Sequence, residues 1–390
     1  MNRIAIVTNI PTPYREGLFA RLANIQGLSF TVYYCAETFP WREWKASYEG
    51  YDYEVLKGTS FNGFALNPLI INRIARRRYD AVVIGGYSMP TALLGLFTAR
   101  LSGTPILMWV ESHLLDERNR TASCTKRILK QAYVANIFKI PQAFIVPGSA
   151  AKAYLEHYGV FSEDIFIAPT TVDVDWFSEK SRLSSDRKAA LRKEYGVTEN
   201  KIVLYVGRMI AKKGVDVLLQ AYAQIQHQGH EDVGLVLIGD GPLQKKLSAR
   251  SNDDGIYWLG YQPAENIPEW YGLSDLFVCP SYGDQWAVVI NEAMACGLPV
   301  VASETVGAAA DLIKEGVNGV TVSPGNSDAL AARIVEILQA SDRNDPSMMG
   351  MQSRKIISEF THAATIKGFL EAITAVTGQS WGSESKPDDV

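Results

Sequence analysis

At 390 residues, with a hydrophobic fraction of 47%, the chain is long enough for two cores and too ordinary in composition for a disordered or fibrous protein. Its formal charge of −4 excludes the strongly basic profile of a nucleic-acid binder. That charge is uneven: 18 Lys and Arg stand against 15 Asp and Glu through residue 178, and 20 against 27 beyond it.

The opening MNRIAIVTNI is too short in its apolar run for a signal peptide and reads as a first strand over residues 3–9. A rigid loop follows at Pro11 to Arg15, then a helix over 16–23 and a strand over 30–35. Residues 41–52 are aromatic and charged without periodicity, a loop or surface helix. A helix over 70–78 ends in Arg76-Arg77-Arg78, where cations suit the C-terminal dipole. Residues 81–99 carry no charge, yet Gly85-Gly86 and Pro90 interrupt them, so strand, glycine loop and helix fit better than a membrane span. Strands over 105–110 and 143–147 alternate with helices over 126–138 and 150–158.

Residues 178–200 form a polar, charge-rich segment with one short helix, and the alternation then resumes. Strands are expected over 201–206, 233–238, 256–259, 276–280, 300–302 and 319–322. Helices are expected over 214–226, 243–249, 267–271, 289–296, 327–338, 347–360 and 362–377. Alternation of this kind means βαβ units and parallel sheets. The expectation is two Rossmann-like domains, 1–178 and 179–361, with the helix over 362–377 returning to the first and a disordered tail over 378–390. The four cysteines, Cys35, Cys124, Cys279 and Cys296, form no C-x-x-C pair and read as reduced core residues of a cytosolic protein.

In such sheets ligands sit beyond the C-terminal ends of the strands. Past the strand in LYVGRMIAKKGVDVLL lie Gly207, Arg208 and Lys213, two cations beside backbone N–H donors, a set that suits a pyrophosphate as well as it suits plain solvated loop charges. VLIGDGPL places Gly239 and Gly241 at another strand end, where a ligand or a backbone can approach closely. In YGDQWAVVINEAMACGLPVV, Asp284 precedes Glu292 by eight residues, so one acid falls in a loop and the other on the helix that follows. Between them lie the free N–H groups of a helix N-terminus, an anion site if the helix is not merely a buried small-residue one.

Together VGRMIAKKG, VLIGDGPL, SDLFVCPS, the acid-x7-acid stretch and EGVNGVTVSPGN resemble the retaining nucleotide-sugar glycosyltransferases of the GT-B fold, family 4, the glycosyl transferases group 1 type. The resemblance is dense from Ile202 to Val322 and looser through TNIPTPYR, IPQAFIVPGSAAKAYL and IFIAPTTVDVDWF. It implies two Rossmann-like domains with parallel sheets facing a central cleft. It also implies Arg208 and Lys213 on a donor diphosphate, and Glu292 on the nucleotide ribose. Asp284 occupies the place of the family's sugar-contacting Glu, one methylene shorter, and Trp286-Ala287 replaces the usual Phe-Gly behind Gln285. Gly207, Gly239, Gly241, Tyr261 and Val288 complete the implied donor side.

In the first half, either Glu111 or His113 falls near the family's cleft His, and Pro13, Tyr14, Arg15, Gly85 and Gly86 mark the acceptor rim. The resemblance further implies retention of anomeric configuration, no covalent nucleophile, and a leaving diphosphate that helps deprotonate the acceptor. No cofactor and no divalent metal are expected; Asp173-Val174-Asp175 has the letters of a D-x-D motif but a hinge-like context. The implied partners are a UDP- or GDP-sugar and a glycan or lipid-linked glycan hydroxyl, as in cell-surface polysaccharide assembly. The implied location is cytoplasmic, with peripheral contact at the inner face of the membrane, for which Trp41, Trp44, Tyr48 and Tyr51 are available. A sugar-nucleotide epimerase or phosphorylase on the same scaffold and a non-catalytic sugar-nucleotide binder are the competing readings. Sugar, base, acceptor and oligomeric state stay open.

Overall fold

A computed structural model describes residues 2–39, 48–61, 63–115, 124–250, 254–343 and 347–379. The described residues divide into two compact units. One takes those within Met1–Ser112, Thr121–Thr170 and His362–Val390; the other takes those within His113–Arg120 and Thr171–Thr361.

In the first unit a seven-stranded sheet is formed among the described residues. Its strands are β1 (Asn2–Thr8), β2 (Leu28–Tyr34), β3 (Tyr53–Val55), β6 (Ala81–Gly85), β7 (Ile106–Trp109), β8 (Ala143–Val146) and β9 (Ile165–Ile167). Their spatial order is β3-β2-β1-β6-β7-β8-β9, every pair parallel. Strands covered on both faces must be apolar throughout, and Ile4 to Val7, Ala81 to Ile84 and Ile106 to Trp109 are all buried. β4 (Thr59–Phe61) and β5 (Phe64–Leu66) pair antiparallel as a separate two-stranded ribbon. Neither the ribbon, β3 nor β9 was expected, because three-residue strands leave no periodicity to read. Residues 41–47 of the aromatic segment lie outside the described residues, as does the tail from residue 380.

The helix His362–Thr377 returns to this unit and inserts Phe369, Ala372 and Ile373 into the core that holds Trp109 and Ile145. Gly368 permits that docking, since a Cβ there would overlap the carbonyl oxygen of Ile167.

The second unit carries β10 (Lys201–Val206), β11 (Val233–Ile238), β12 (Ile256–Gly260), β13 (Leu276–Cys279), β14 (Val300–Ser303) and β15 (Gly319–Val322). Their order is β12-β11-β10-β13-β14-β15, again parallel. In sequence terms that is third, second, first, fourth, fifth, sixth, the doubly wound arrangement. The crossing into this unit falls between Thr170 and Thr171, ahead of the expected boundary near residue 178. The reason is packing: Val172, and Phe177 of the helix Val174–Lys180, lie in one core cluster with Trp270, Tyr271 and Met294.

Doubly wound sheets have a switch point, where the winding reverses and strand-end loops part to leave a crevice. In the first unit it falls between β1 and β6, and in the second between β10 and β13. Replacing Gly368 with Val should undock the C-terminal helix and cost on the order of 2–3 kcal/mol. A urea melt checks this; an unchanged midpoint would contradict the docking role.

Candidate functional site

At the switch point of the second unit two loops meet. The loop after β10 runs through Gly207 and Arg208 to the 3-10 turn Ala211–Lys213; the loop after β13 runs from Pro280 to Ala287. Gly214 sits at φ 67° directly under Pro280, where a Cβ would overlap the Pro280 carbonyl oxygen, so the two loops touch backbone to backbone. Tyr282 N donates to Lys212 O at 2.9 Å across the same seam. This contact carries Lys213 to Asp284, and the two form an ion pair through Lys213 Nζ and Asp284 Oδ2, both side chains only partly exposed.

Arg208 follows Tyr205, whose hydroxyl donates to the Arg208 carbonyl at 3.0 Å. Tyr205 is buried between charges from both loops: burial raises its pKa first, Cys279 and Asp284 add to that, and Arg208 opposes it. The Arg208 guanidinium makes no hydrogen bond or ion pair among the described residues. Asp284 and Arg208 therefore both act on one buried tyrosine, and Lys213 pairs with the first of them.

Gly239 and Gly241 follow β11. A Cβ on Gly239 would overlap the Gly207 carbonyl oxygen, and one on Gly241 would come within 2.6 Å of the Met209 oxygen. The close approach these glycines permit is thus to the Arg208 loop itself. Tyr261 stands 51% exposed past β12, two strands from the switch point.

The helix Val288–Ala295 starts from Ala287, which holds φ 70° and ψ 75°. A left-handed residue with a Cβ costs roughly 1–2 kcal/mol. Trp286 is 4% exposed and donates Nε1–H to Asn291 Oδ1 at 3.0 Å, so it braces the loop from within the core rather than lining an open surface. Glu292 lies one turn into the helix and accepts from the Tyr271 hydroxyl at 2.8 Å. Burial pushes its carboxyl up to about 7, and the Tyr271 hydrogen bond only partly counters this. Tyr271, its side-chain hydrogen-bond partner, has no sequence signal: it lies in a helix whose apolar pattern reads as plain core.

In the first unit the expected rim residues gather at the other switch point. Gly85 ends β6 beside Thr8, where a Cβ would come 2.8 Å from the Val7 oxygen, and Gly86 at φ 82° faces open space. Pro13 is exposed and begins the helix Pro13–Ala23. Arg15 on its first turn reaches back to the strand ends: Nη1 donates to Thr8 Oγ1 and Nη2 to Glu111 Oε1, both at 2.7 Å. Its guanidinium carbon lies 4.9 Å from the Trp109 ring centroid and 5.8 Å from that of Tyr14. Burial opposes the Arg15 charge, but Glu111, Tyr14 and Tyr34 outweigh it and raise the pKa above its ordinary value.

Glu111 and His113 go separate ways. His113 is 2% exposed, counts with the second unit, and lies 2.7 Å through Nε2 from the Asp284 carbonyl oxygen. A carbonyl only accepts, so Nε2 carries the hydrogen and is not available as a base.

Among the described residues no group of three His, Cys, Asp and Glu could hold a metal ion, and no helix is long and apolar enough to cross a membrane. Cys35, Cys279 and Cys296 are buried free thiols.

Residues 187–356 match the family model described as "Glycosyl transferases group 1". Over 156 residues the chain is 36% identical to the alpha-D-kanosaminyltransferase of Streptomyces kanamyceticus, covering 39% of this chain and 40% of that protein. Over 284 residues it is 26% identical to the GDP-mannose-dependent alpha-(1-6)-phosphatidylinositol monomannoside mannosyltransferase of Mycolicibacterium smegmatis, covering 69% of each. That mannosyltransferase aside, the chain spans about half the length of the curated relatives it matches, 40% to 52%. Among solved structures, Anabaena HepE in complex with UDP and glucose superposes with a TM-score of 0.75 at 20% identity, over 96% of this chain and 100% of that one. Sucrose-phosphate synthase of Thermosynechococcus elongatus gives 0.72 at 20% identity, over 94% and 97%. The fold is thus that of GT-B proteins, two Rossmann-like domains with parallel sheets.

Two outcomes follow for stability. Glu292 holds its proton to about pH 7 when folded but loses it near the ordinary 4.5 of a free carboxyl when unfolded. Its contribution is therefore nil below pH 4.5 and grows more destabilising up to pH 7. Glu292→Gln should gain on the order of 2 kcal/mol over wild type between pH 4.5 and 8, read by urea melts at both ends; a pH-independent difference would contradict this. Ala287→Gly should raise stability by up to about 1 kcal/mol, strain relief exceeding the entropy of the added glycine, and a lowered melting point would contradict the strain.

Proposed function

We propose that this chain is a group 1, family 4 glycosyltransferase that moves a sugar from a nucleoside diphosphate to a hydroxyl acceptor with retained anomeric configuration. The observation that carries the reading is the grouping of Arg208, Lys213 and Asp284 at the switch point of the second sheet, inside the stretch that matches the family model. Both cations serve the diphosphate. Arg208 offers a planar fork without a partner among the described residues, and Lys213 offers a point charge once Asp284 turns to the sugar. The first N–H groups of the helix Val288–Ala295 lack partners within the helix and add positive potential. Glu292 takes the ribose hydroxyls, for which its second oxygen and its sheltered position suit it.

In the reaction the acceptor oxygen bonds to the anomeric carbon as the bond from that carbon to the phosphate oxygen breaks. The hydroxyl proton passes to the departing diphosphate on the same face of the sugar. No protein nucleophile is required. Arg208, Lys213 and the helix dipole stabilise the charge that builds on the leaving group, and fixed charges of this kind are worth most where water is excluded. Divalent metal has no part in this scheme, because the two cations supply the charge. UDP- or GDP-sugars are the donor class, and the molecules named with the similar proteins support this: UDP and glucose bound in HepE, GDP-mannose in the name of the mannosyltransferase. The acceptor class is a glycan or lipid-linked glycan in polysaccharide assembly, and a lipid-linked acceptor would bring a cytoplasmic chain to the inner face of the membrane.

Arg208→Ala and Lys213→Ala should each lower nucleoside diphosphate release from the preferred sugar nucleotide by roughly 10²–10³-fold while melting like wild type. Near-normal turnover in either variant sinks the assignment. Conversion of the donor to an isomer without diphosphate release would instead indicate an epimerase.

A further inference from the structure

One buried hydroxyl that the transfer scheme leaves unused faces the helix Val288–Ala295 directly. Tyr271 lies in the helix Ile267–Leu273 and is 1% exposed, its ring tilted against Phe277 at 5.7 Å and edge-on to Phe177 at 6.3 Å. A phenylalanine would fill the same space. A hydroxyl carried that deep costs free energy unless it finds a partner. The Tyr271 hydroxyl has two acceptors within reach, the Val289 carbonyl at 3.3 Å and Glu292 Oε2 at 2.8 Å, and its one hydrogen goes to the nearer and charged one.

That hydroxyl is held still. Its helix docks so closely on the chain after Val174–Lys180 that a Cβ on Gly272 would overlap the Ser181 carbonyl oxygen, and Trp270 beside it is buried. The helix Val288–Ala295 gains from such a brace, because Ala287 gives it no side-chain cap. A glutamate on an open helix face samples several rotamers, whereas the bond to Tyr271 sets the Glu292 rotamer from outside its own helix. Glu292 Oε1 makes no hydrogen bond among the described residues, and the side chain is only partly buried, so a ligand can reach that oxygen. Burial favours the neutral carboxyl, and the Tyr271 bond favours the charged one. The charge matters for recognition: a carboxylate accepts at both oxygens, as two adjacent hydroxyls require, while a protonated carboxyl turns one oxygen into a donor.

We propose that Tyr271 is a positioning residue: its hydroxyl fixes the Glu292 carboxylate so that Oε1 and the spare lone pair of Oε2 meet the two ribose hydroxyls of the nucleotide, and it thereby sets the preference for ribose over deoxyribose. This rests on the reading of Glu292 as the ribose contact. Tyr271 itself touches no ligand.

The test is calorimetric titration of the full chain with UDP and GDP and with their 2′,3′-dideoxy forms. Wild type should bind UDP or GDP more tightly than its dideoxy form by about tenfold or more. Tyr271→Phe keeps the ring and should bind the ribonucleotide about tenfold more weakly, yet bind the dideoxy form as wild type does. Glu292→Ala should lose the same preference, and the double variant should be no weaker than Glu292→Ala. A merely structural tyrosine would weaken both ligands alike, and that result overturns the proposal. So does Tyr271→Phe keeping the full preference, or losses that simply add in the double variant. Wild type that binds both forms equally overturns the ribose role of Glu292, and this proposal with it, while donor binding stands. Wild type that binds no nucleotide overturns the donor reading as a whole.

Discussion

The switch point of the second unit depends on one ion pair, Lys213 with Asp284. Each partner lies on a different strand-end loop, and neither loop alone makes the pair. What brings them together is backbone contact: only a glycine at 214 lets the β10 loop pass under Pro280. An ion pair between partly exposed groups contributes modestly to stability, so holding the loops is not its main effect. Its effect is electrostatic. Lys213 is kept as a cation that is already compensated, and under the proposed function a diphosphate that took its charge would leave the Asp284 carboxylate to the sugar hydroxyls.

The same division of labour runs through the rest of the second unit. Apolar strands and the buried Trp286, Tyr205 and Tyr271 hold the loops, while the polar tips of Arg208, Asp284 and Glu292 are presented at their ends. Glu292 and Ala287 carry the cost of that arrangement, the first by burial of a carboxyl and the second by left-handed backbone. Both lie within one turn of the helix N-terminus, and local strain of this kind is characteristic of sites that bind rather than of ordinary core. In the first unit the polar edge is built by a different device, an arginine laid across strand ends and locked by a carboxylate and an indole.

Much of this was legible in the sequence because the signals were local. Long apolar strands alternating with helices gave two parallel sheets, and glycine loops at strand ends marked where ligands could sit. Asp284 and Glu292 could be read as a loop acid and a helix acid from their spacing alone. The contacts that decide what those residues do are long-range and left no trace. Nothing in WVESH says that Glu111 meets Arg15, 96 residues away, or that His113 meets the Asp284 carbonyl, 171 residues away. The hydroxyl that shares Glu292 comes from Tyr271, in a helix with no polar pattern. Gly239 and Gly241 carry a further lesson: glycines at a strand end signalled close approach correctly, but the approaching group is the neighbouring loop.

Trp286-Ala287 also has a physical reading. Ala287 holds left-handed geometry even with a Cβ, so the backbone path is imposed by the loop contacts around it, including Ala308 N to Trp286 O at 3.1 Å. The central claim is that these loops bind a nucleoside diphosphate sugar. Thermal unfolding of wild type against a panel of UDP-, GDP- and ADP-sugars tests it most directly. One sugar nucleotide should stabilise the chain by about 2.7 kcal/mol at a hundredfold excess over its dissociation constant, and by more than its free diphosphate does at the same concentration. An unfolding curve that no nucleotide or sugar nucleotide shifts at millimolar concentration would contradict it.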